Sequence, residues 1–367
     1  MNHSALPSFM YTVASPVGDL SIAGEELHVS LDGCDSGMTY GGYFSAIQDM
    51  LAAEDFQALH LLAGLMGFFA LPCQVHVRAE KHGALSHPAS LELIWPNGTK
   101  AKYAMLVAVS PGGRAALRRE ALVLDHLREA YRLPLLPEKL FFGENEAAAF
   151  LIEPWFSGFH EFHLTSGGCF QLWDHDRGLR VLSAVQVQQA FFLAARILTL
   201  FVDSDSGACI HPWSHAAGDF IIRNEGHDVD VRLTTARGYG PLIETDNALS
   251  ALFIFVLDLG LRMRLDRVDG VGQWAWLGPD ILENAVRGFF AAVSERAGSN
   301  DRGVDGLQTM ARLLPMFSAQ ELVQGSQALL DRFSPGERDV LVLRLEQHCL
   351  ELFAILQKMP KELYSPR

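Results

Sequence analysis

The chain has no CxxC pair, no excess of positive charge and no apolar run long enough to cross a bilayer. Its five cysteines (Cys34, Cys73, Cys169, Cys209, Cys349) are odd in number and scattered over 367 residues. That spacing gives neither a disulfide framework nor a zinc ribbon. A reducing cytoplasm is the expected setting. Lys and Arg number 29 against 43 Asp and Glu, for a formal net charge of −14. Nonspecific nucleic-acid binding needs basic surface to displace counterions, so it is excluded. Docking on an anionic membrane is disfavoured for the same reason. The most apolar run, Leu59–Leu71, falls short of the ~20 residues that span hydrocarbon and is expected to form a buried helix. Met1–Pro16 lacks the basic region and apolar stretch of a secretion signal. Internal repeats and low-complexity tracts are absent as well.

What is present is a globular chain, 49% apolar and 20% charged, long enough for two or three lobes with real cores. Residues 1–40 alternate in short runs broken by Gly, Pro and Asp, which predicts small strands and turns. Residues 43–70 predict a helix, with Phe44, Ile47, Met50 and Leu51 on one face. Cys73–Arg78, Leu91–Trp95 and Tyr103–Val109 predict an antiparallel meander. Its second turn, Pro96-Asn-Gly-Thr, is of the Asn-Gly type in which both central residues take positive φ. Gly113–Tyr131 is a helix with Glu120 near its middle, and two more strands, Lys139–Gly143 and Ala147–Glu153, follow. From Ala184 the chain turns helical: Ala184–Val202, Asn247–Leu265, Leu277–Ala297 with Asp280 as N-cap, and most of Leu307–Met359. Ser334-Pro-Gly-Glu337 marks a helix start within that last stretch.

Between the first two of these helices lies residues 209–240, a polar loop followed by two short apolar strands. His211, His215 and Asp219 sit in the loop, the usual place for chemistry on a rigid scaffold. Asp219 at a strand edge could hold Mg²⁺ or could bond backbone N–H groups. The two histidines with Cys209 and Asp219 could take a transition metal, or the histidines could shape the loop by hydrogen bonds. His160 and His163 fall on opposite faces of a strand, which separates them. Cys209 reads as a small buried residue. Gln273-Trp-Ala-Trp276 reads as core or as a turn that anchors a helix, with a carbohydrate platform as the alternative.

Three strands, a helix with a central Glu, two strands, a connector, then a helical lobe with one loop-strand-turn-strand insert: this order resembles the protein-kinase-like superfamily, and most nearly its aminoglycoside- and choline-phosphotransferase branch. Residues 73–295 carry the resemblance. Ala115–Leu127 is similar to the helix whose Glu pairs with the nucleotide-binding Lys. Phe150–Trp155, containing Glu153, is similar to the hinge strand beside which adenine would sit. His211–Ile222 is similar to the catalytic loop His-Gly-Asp-x-His-Pro-Gly-Asn. Val231–Tyr239 is similar to the segment that carries a metal-binding Asp. The resemblance implies an α+β, two-lobe kinase-like fold. Its N-lobe (73–155) would hold an antiparallel five-stranded sheet and its C-lobe (156–298) would be helical, with an N-terminal extension (1–72) and a helical C-terminal tail (299–367).

The same comparison implies lost chemistry. Phosphoryl transfer needs a Lys for the phosphates, a base Asp, and Asp with Asn for Mg²⁺. Here Trp213 stands at the base position, Asp219 at the metal-binding Asn, and Thr234 or Thr235 at the metal-binding Asp. The strand that should carry the Lys has none at its centre, Lys100 and Lys102 lying at its start. Lys81, in the turn beside His82, could replace it as the partner of Glu120. The first expectation is therefore a catalytically degenerate, pseudokinase-type protein that binds a small molecule in its cleft or presents its lobes to a protein partner. The second is an atypical ATP- and Mg-dependent phosphotransferase or nucleotidyltransferase. It would use Lys81, Glu120 and Glu153 for the nucleotide, Asp219 for the metal and His211 or His215 as base. The third is a metal-dependent hydrolase at His211, His215 and Asp219.

Overall fold

Alternating burial organises the first of two compact units, residues 1–132 with 137–157. The computed structural model describes residues 6–15, 18–31, 37–80, 83, 85–174, 177–226, 228–299 and 305–359. In chain order the first unit contains β1 (Ser8–Val13), β2 (Leu20–Ser21), α1 (Tyr40–Leu65), β3 (Gln74–Ala79), β4 (His87–Ile94), β5 (Lys100–Ala108), α2 (Pro111–Tyr131), β6 (Phe141–Glu144) and β7 (Ala149–Pro154). Val75, Val77 and Ala79 of β3 are buried and the residues between them half exposed, the period-2 pattern of a sheet with one covered face. Tyr43, Phe44, Ile47, Leu59 and Leu62 of α1 join these residues in one core.

The five antiparallel strands expected here, β3 to β7, are present, but the sheet has seven, in the order β2-β1-β3-β4-β5-β7-β6. β1 lies parallel to β3, from Ser8 beside Gln74 to Val13 beside Ala79. A strand from the supposed N-terminal extension thus completes the sheet. Parallel neighbours need a long crossover, which α1 supplies, and no short-range signal encodes such a pairing. Two local readings also change. In the 95–99 turn only Gly98 has positive φ, at 82°. Its N–H donates to the Trp95 carbonyl (2.9 Å), a type I turn closed by a left-handed Gly rather than the mirror-image turn. The apolar run Leu59–Leu71 is only half buried: α1 ends at Leu65, and Leu61, Leu65, Met66 and Phe69 are exposed.

The second unit, residues 133–136 with 158–367, contains β8 (His160–Leu164), β9 (Phe170–Asp174), β10 (Gly178–Val181), α3 (Ala184–Leu200), β11 (Cys209–Ile210), β12 (Phe220–Glu225), β13 (Asp228–Leu233) and β14 (Tyr239–Gly240). Then come α4 (Ala248–Met263), β15 (Leu265–Arg267), β16 (Trp274–Trp276), α5 (Pro279–Ser299), α6 (Gly306–Leu313), α7 (Ala319–Gln327) and α8 (Pro335–Lys358). This unit holds more than the two strands expected as an insert in its helical lobe. β8, β9 and β10 join β12 and β13 in a second sheet, order β10-β9-β8-β12-β13, and α3 packs on β13 and α5. On α3, Val187, Ala190, Phe191 and Ala194 are buried while Val185 faces water. Asp280 lies inside the first turn of α5, which begins at Pro279. The molecule is thus α+β, with sheets followed by a largely helical C-terminal region. Among the described residues no helix is long and apolar enough to cross a membrane.

Candidate functional site

Strand pairing brings two distant segments together in the second unit. β11 pairs with β14 (Ile210 beside Tyr239), and β12 pairs with β13 (Phe220 beside Leu233). The loop 211–219 and the segment 234–238 are therefore joined at both ends. His211 N–H donates to the Gly238 carbonyl (3.0 Å) and Thr234 N–H to the Asp219 carbonyl (2.8 Å).

Asp219 closes this arrangement. It is 1% exposed, and a buried carboxylate is tolerated only when paired and hydrogen-bonded. Arg237 Nη1 donates to Oδ2 (2.7 Å) and Nη2 to Oδ1 (2.6 Å), while Ser214 N–H donates to Oδ2 (2.7 Å). The fork of two parallel charge-assisted bonds fits guanidinium to carboxylate. Both oxygens that would face a Mg²⁺ ion are thus engaged by a cation belonging to the chain. Trp213, at the position of the base Asp, is 3% exposed and sits edge-on to Phe220, centroids 5.8 Å apart.

His215 turns away from this pair into a second polar cluster. The ring is 2% exposed and lies edge-on to Phe191 at 5.0 Å. Its Nε2 is 3.7 Å from Asp266 Oδ2, and neither atom, nor Nδ1, has a hydrogen-bond partner. Burial pushes the imidazole pKa down. The Asp266 charge opposes that shift, His163 adds to it, and Asp219 opposes it weakly. Burial likewise pushes the Asp266 carboxyl up, against His215 and the backbone N–H of Arg267. His163 packs on Trp173 (4.3 Å) and places Nε2 3.1 Å from Glu161 Oε2, leaving Nδ1 unpartnered. The Glu161 carboxylate in turn lies over Gly218, where any Cβ would come within 2.8 Å of it. With φ at +77°, position 218 suits glycine on both counts.

The other expected residues divide as follows. His211 is half-buried beside Gly238 and Gly240. Cys209 is buried, its thiol pushed up by burial, in keeping with a packing role. Lys81 and His82 lie outside the described residues. In the first unit Glu120 and Glu153 are both buried, on α2 and β7. Burial pushes the Glu153 carboxyl well above its ordinary range, and the Glu120 charge adds to the shift. Glu153 Oε1 has no partner. Lys100 is committed to Glu92 (3.0 Å), and Lys102 lies 3.9 Å over the Trp155 ring.

Sequence reasoning missed Arg237, Glu161 and Asp266, and set His163 aside as separated from His160. Only Arg237 left a signal: a buried Asp219 needs a cation, and Arg237 follows the Thr234-Thr235 pair that replaces the metal ligand. Among the described residues no group of three or more His, Cys, Asp or Glu is gathered so as to hold a metal ion. Comparison of the chain with protein-family models and with curated proteins finds no match.

Proposed function

We propose that this chain is a catalytically degenerate, two-lobe kinase-like protein whose role is binding or regulation. The observation that carries the reading is the Arg237–Asp219 fork. Where a phosphotransferase keeps two oxygen ligands for Mg²⁺ and a base Asp beside them, this chain has one carboxylate neutralised by its own guanidinium and a packed Trp213. The kinase-like reading is supported by the order helix α3, β11, loop, β12, turn, β13, segment, β14. It is also supported by the buried Glu120 midway along α2, where the nucleotide Lys would find its partner.

Thermal melting with ATP, with and without Mg²⁺ or Mn²⁺, tests the proposal. The expected result is no metal-dependent gain in melting temperature and no transfer of the γ-phosphate to protein or water. A metal-dependent shift that disappears in both Asp219→Asn and Glu120→Gln would overturn it. That outcome would favour the phosphotransferase with Lys81 at the phosphates and Asp219 at the metal.

A further inference from the structure

The stretch 56–77 contains no Asp, Glu, Lys or Arg, in a chain that is 20% charged. Part of it is core: Leu59, Leu62, Ala63, Val75 and Val77 are inaccessible. The rest faces water. Leu61 is 40% exposed, Leu65 58%, Met66 43% and Phe69 101%. Leu61 and Leu65 are one turn apart on α1 and share a face. Met66 and Phe69, both exposed, follow immediately past the helix end. Leu6, 72% exposed, stands beside the same turn, because the parallel register sets Ser8 at Gln74 and so carries Leu6 to the level of Pro72.

The turn is fixed on both sides of Phe69. Phe68 N–H donates to the Ala63 carbonyl (2.9 Å), and its ring stacks on Trp95 at 4.5 Å. The Trp95 indole N–H donates to the Ala70 carbonyl (3.1 Å). Phe69 is therefore held out in water by its neighbours, and an anchor fixed in advance loses little entropy on binding. These side chains present on the order of 500 Å² of apolar surface, the size that marks an interaction site.

Area and charge select the occupant. Against its own copy the face would bury roughly 1,000 Å² in total, the threshold of a specific interface. A two-fold contact sets a patch against itself, so any charge in it would meet its like; this patch has none. A lipid surface is a poorer fit, because interfacial binders rim their apolar face with Lys and Arg, and the chain as a whole carries −14. We propose that Leu61, Leu65, Met66 and Phe69 form a self-association face covered by a second copy of this chain in a two-fold dimer, with the two Phe69 rings near its centre.

Sedimentation velocity from about 1 to about 100 µM tests it, since association follows mass action. The wild type is expected to pass from monomer to dimer over that range. Leu65→Asp/Phe69→Asp should weaken the dimer at least ~100-fold, as loss of an interface anchor does, with unchanged circular dichroism and melting temperature. If the double variant melts early, Phe69→Ser gives the same readout with less perturbation. A wild type that stays monomeric throughout overturns the proposal, as does a dimer indifferent to both variants. So does a monomer that floats with phosphatidylcholine vesicles through Phe69, which would assign the face to lipid.

Discussion

His348 lies fully buried under Arg264 and Trp276, its ring 5.6 Å from the indole and its Nε2 without a partner. Burial, aided by the Arg264 charge, pushes its pKa down from 6.5 to about 3. Between those values the unfolded chain binds a proton that the native chain refuses, so stability rises with pH. It is complete above pH 6.5 and is lost as pH falls toward 3. His215 adds to the same acid-side loss, its pKa also being lowered by burial. Urea unfolding at pH 7 and pH 4 should show a loss on the order of 3 kcal/mol from His348, and His348→Asn should flatten that part of the slope. An unchanged slope in the variant would refute the assignment. Nothing local announced this histidine, whose surroundings come from β15, β16 and α4. Asp219 was more legible, because a Gly-Asp pair before Phe-Ile-Ile already placed its carboxylate at a buried strand edge. Its partner Arg237 was less so: a cation was called for, but which one depends on how β12 and β13 register.

Helix α1 shows where local propensity loses to packing. Ala52-Ala-Glu-Asp-Phe56 reads as uninterrupted helix, yet Glu54, Asp55 and Phe56 have φ of 49°, 53° and 65°. Left-handed conformation costs an L-residue roughly 1–2 kcal/mol. The break lets the two halves of α1 meet the core separately, with Phe44, Ile47 and Leu51 before it and Leu59 and Leu62 after it, while Phe56 packs against the same cluster. Glu54→Gly and Asp55→Gly, which would weaken an ordinary helix, should each stabilise this chain by about 0.5–1 kcal/mol in urea titration. Destabilisation by both would mean the segment is right-handed helix in solution. Elements whose ends are written in their own residues were legible: the Glu337 side chain accepts from Ser334 N–H (2.7 Å) to begin α8 where the sequence marked it. α2 buries Leu117, Ala121, Leu124 and Leu127 as their spacing requires. β8, β9 and β10 were not legible, being short strands stabilised by one another and by β12.

Residues 299–367 read as a tail because nothing in their composition separates an appended helix from an integral one. Burial does separate them. Leu341, Leu345, Leu352, Ile355 and Leu356 of α8 are buried, and at roughly 1.5–3 kcal/mol each their contribution is comparable with the 5–15 kcal/mol that holds a whole domain. An ion pair fixes the register: Arg264, 3% exposed between α4 and β15, donates to Glu351 and to the Leu277 carbonyl, with its guanidinium over Trp276 at 4.5 Å. α8 is therefore a wall of the second unit, with Trp274 and Trp276 of strand β16, rather than a turn, lying against its Gly336 and His348. Removing one partner strands a buried cation, so Glu351→Ala should cost roughly 2–4 kcal/mol, while Glu346→Ala, exposed on the same helix, should cost well under 1 kcal/mol. A chain ending at residue 299 should lose near-ultraviolet circular dichroism and bind a hydrophobic dye, as a collapsed but unpacked state does. If that shortened chain instead keeps a cooperative melt close to that of the full chain, α8 is an appendage and the packing just described does not hold the unit together.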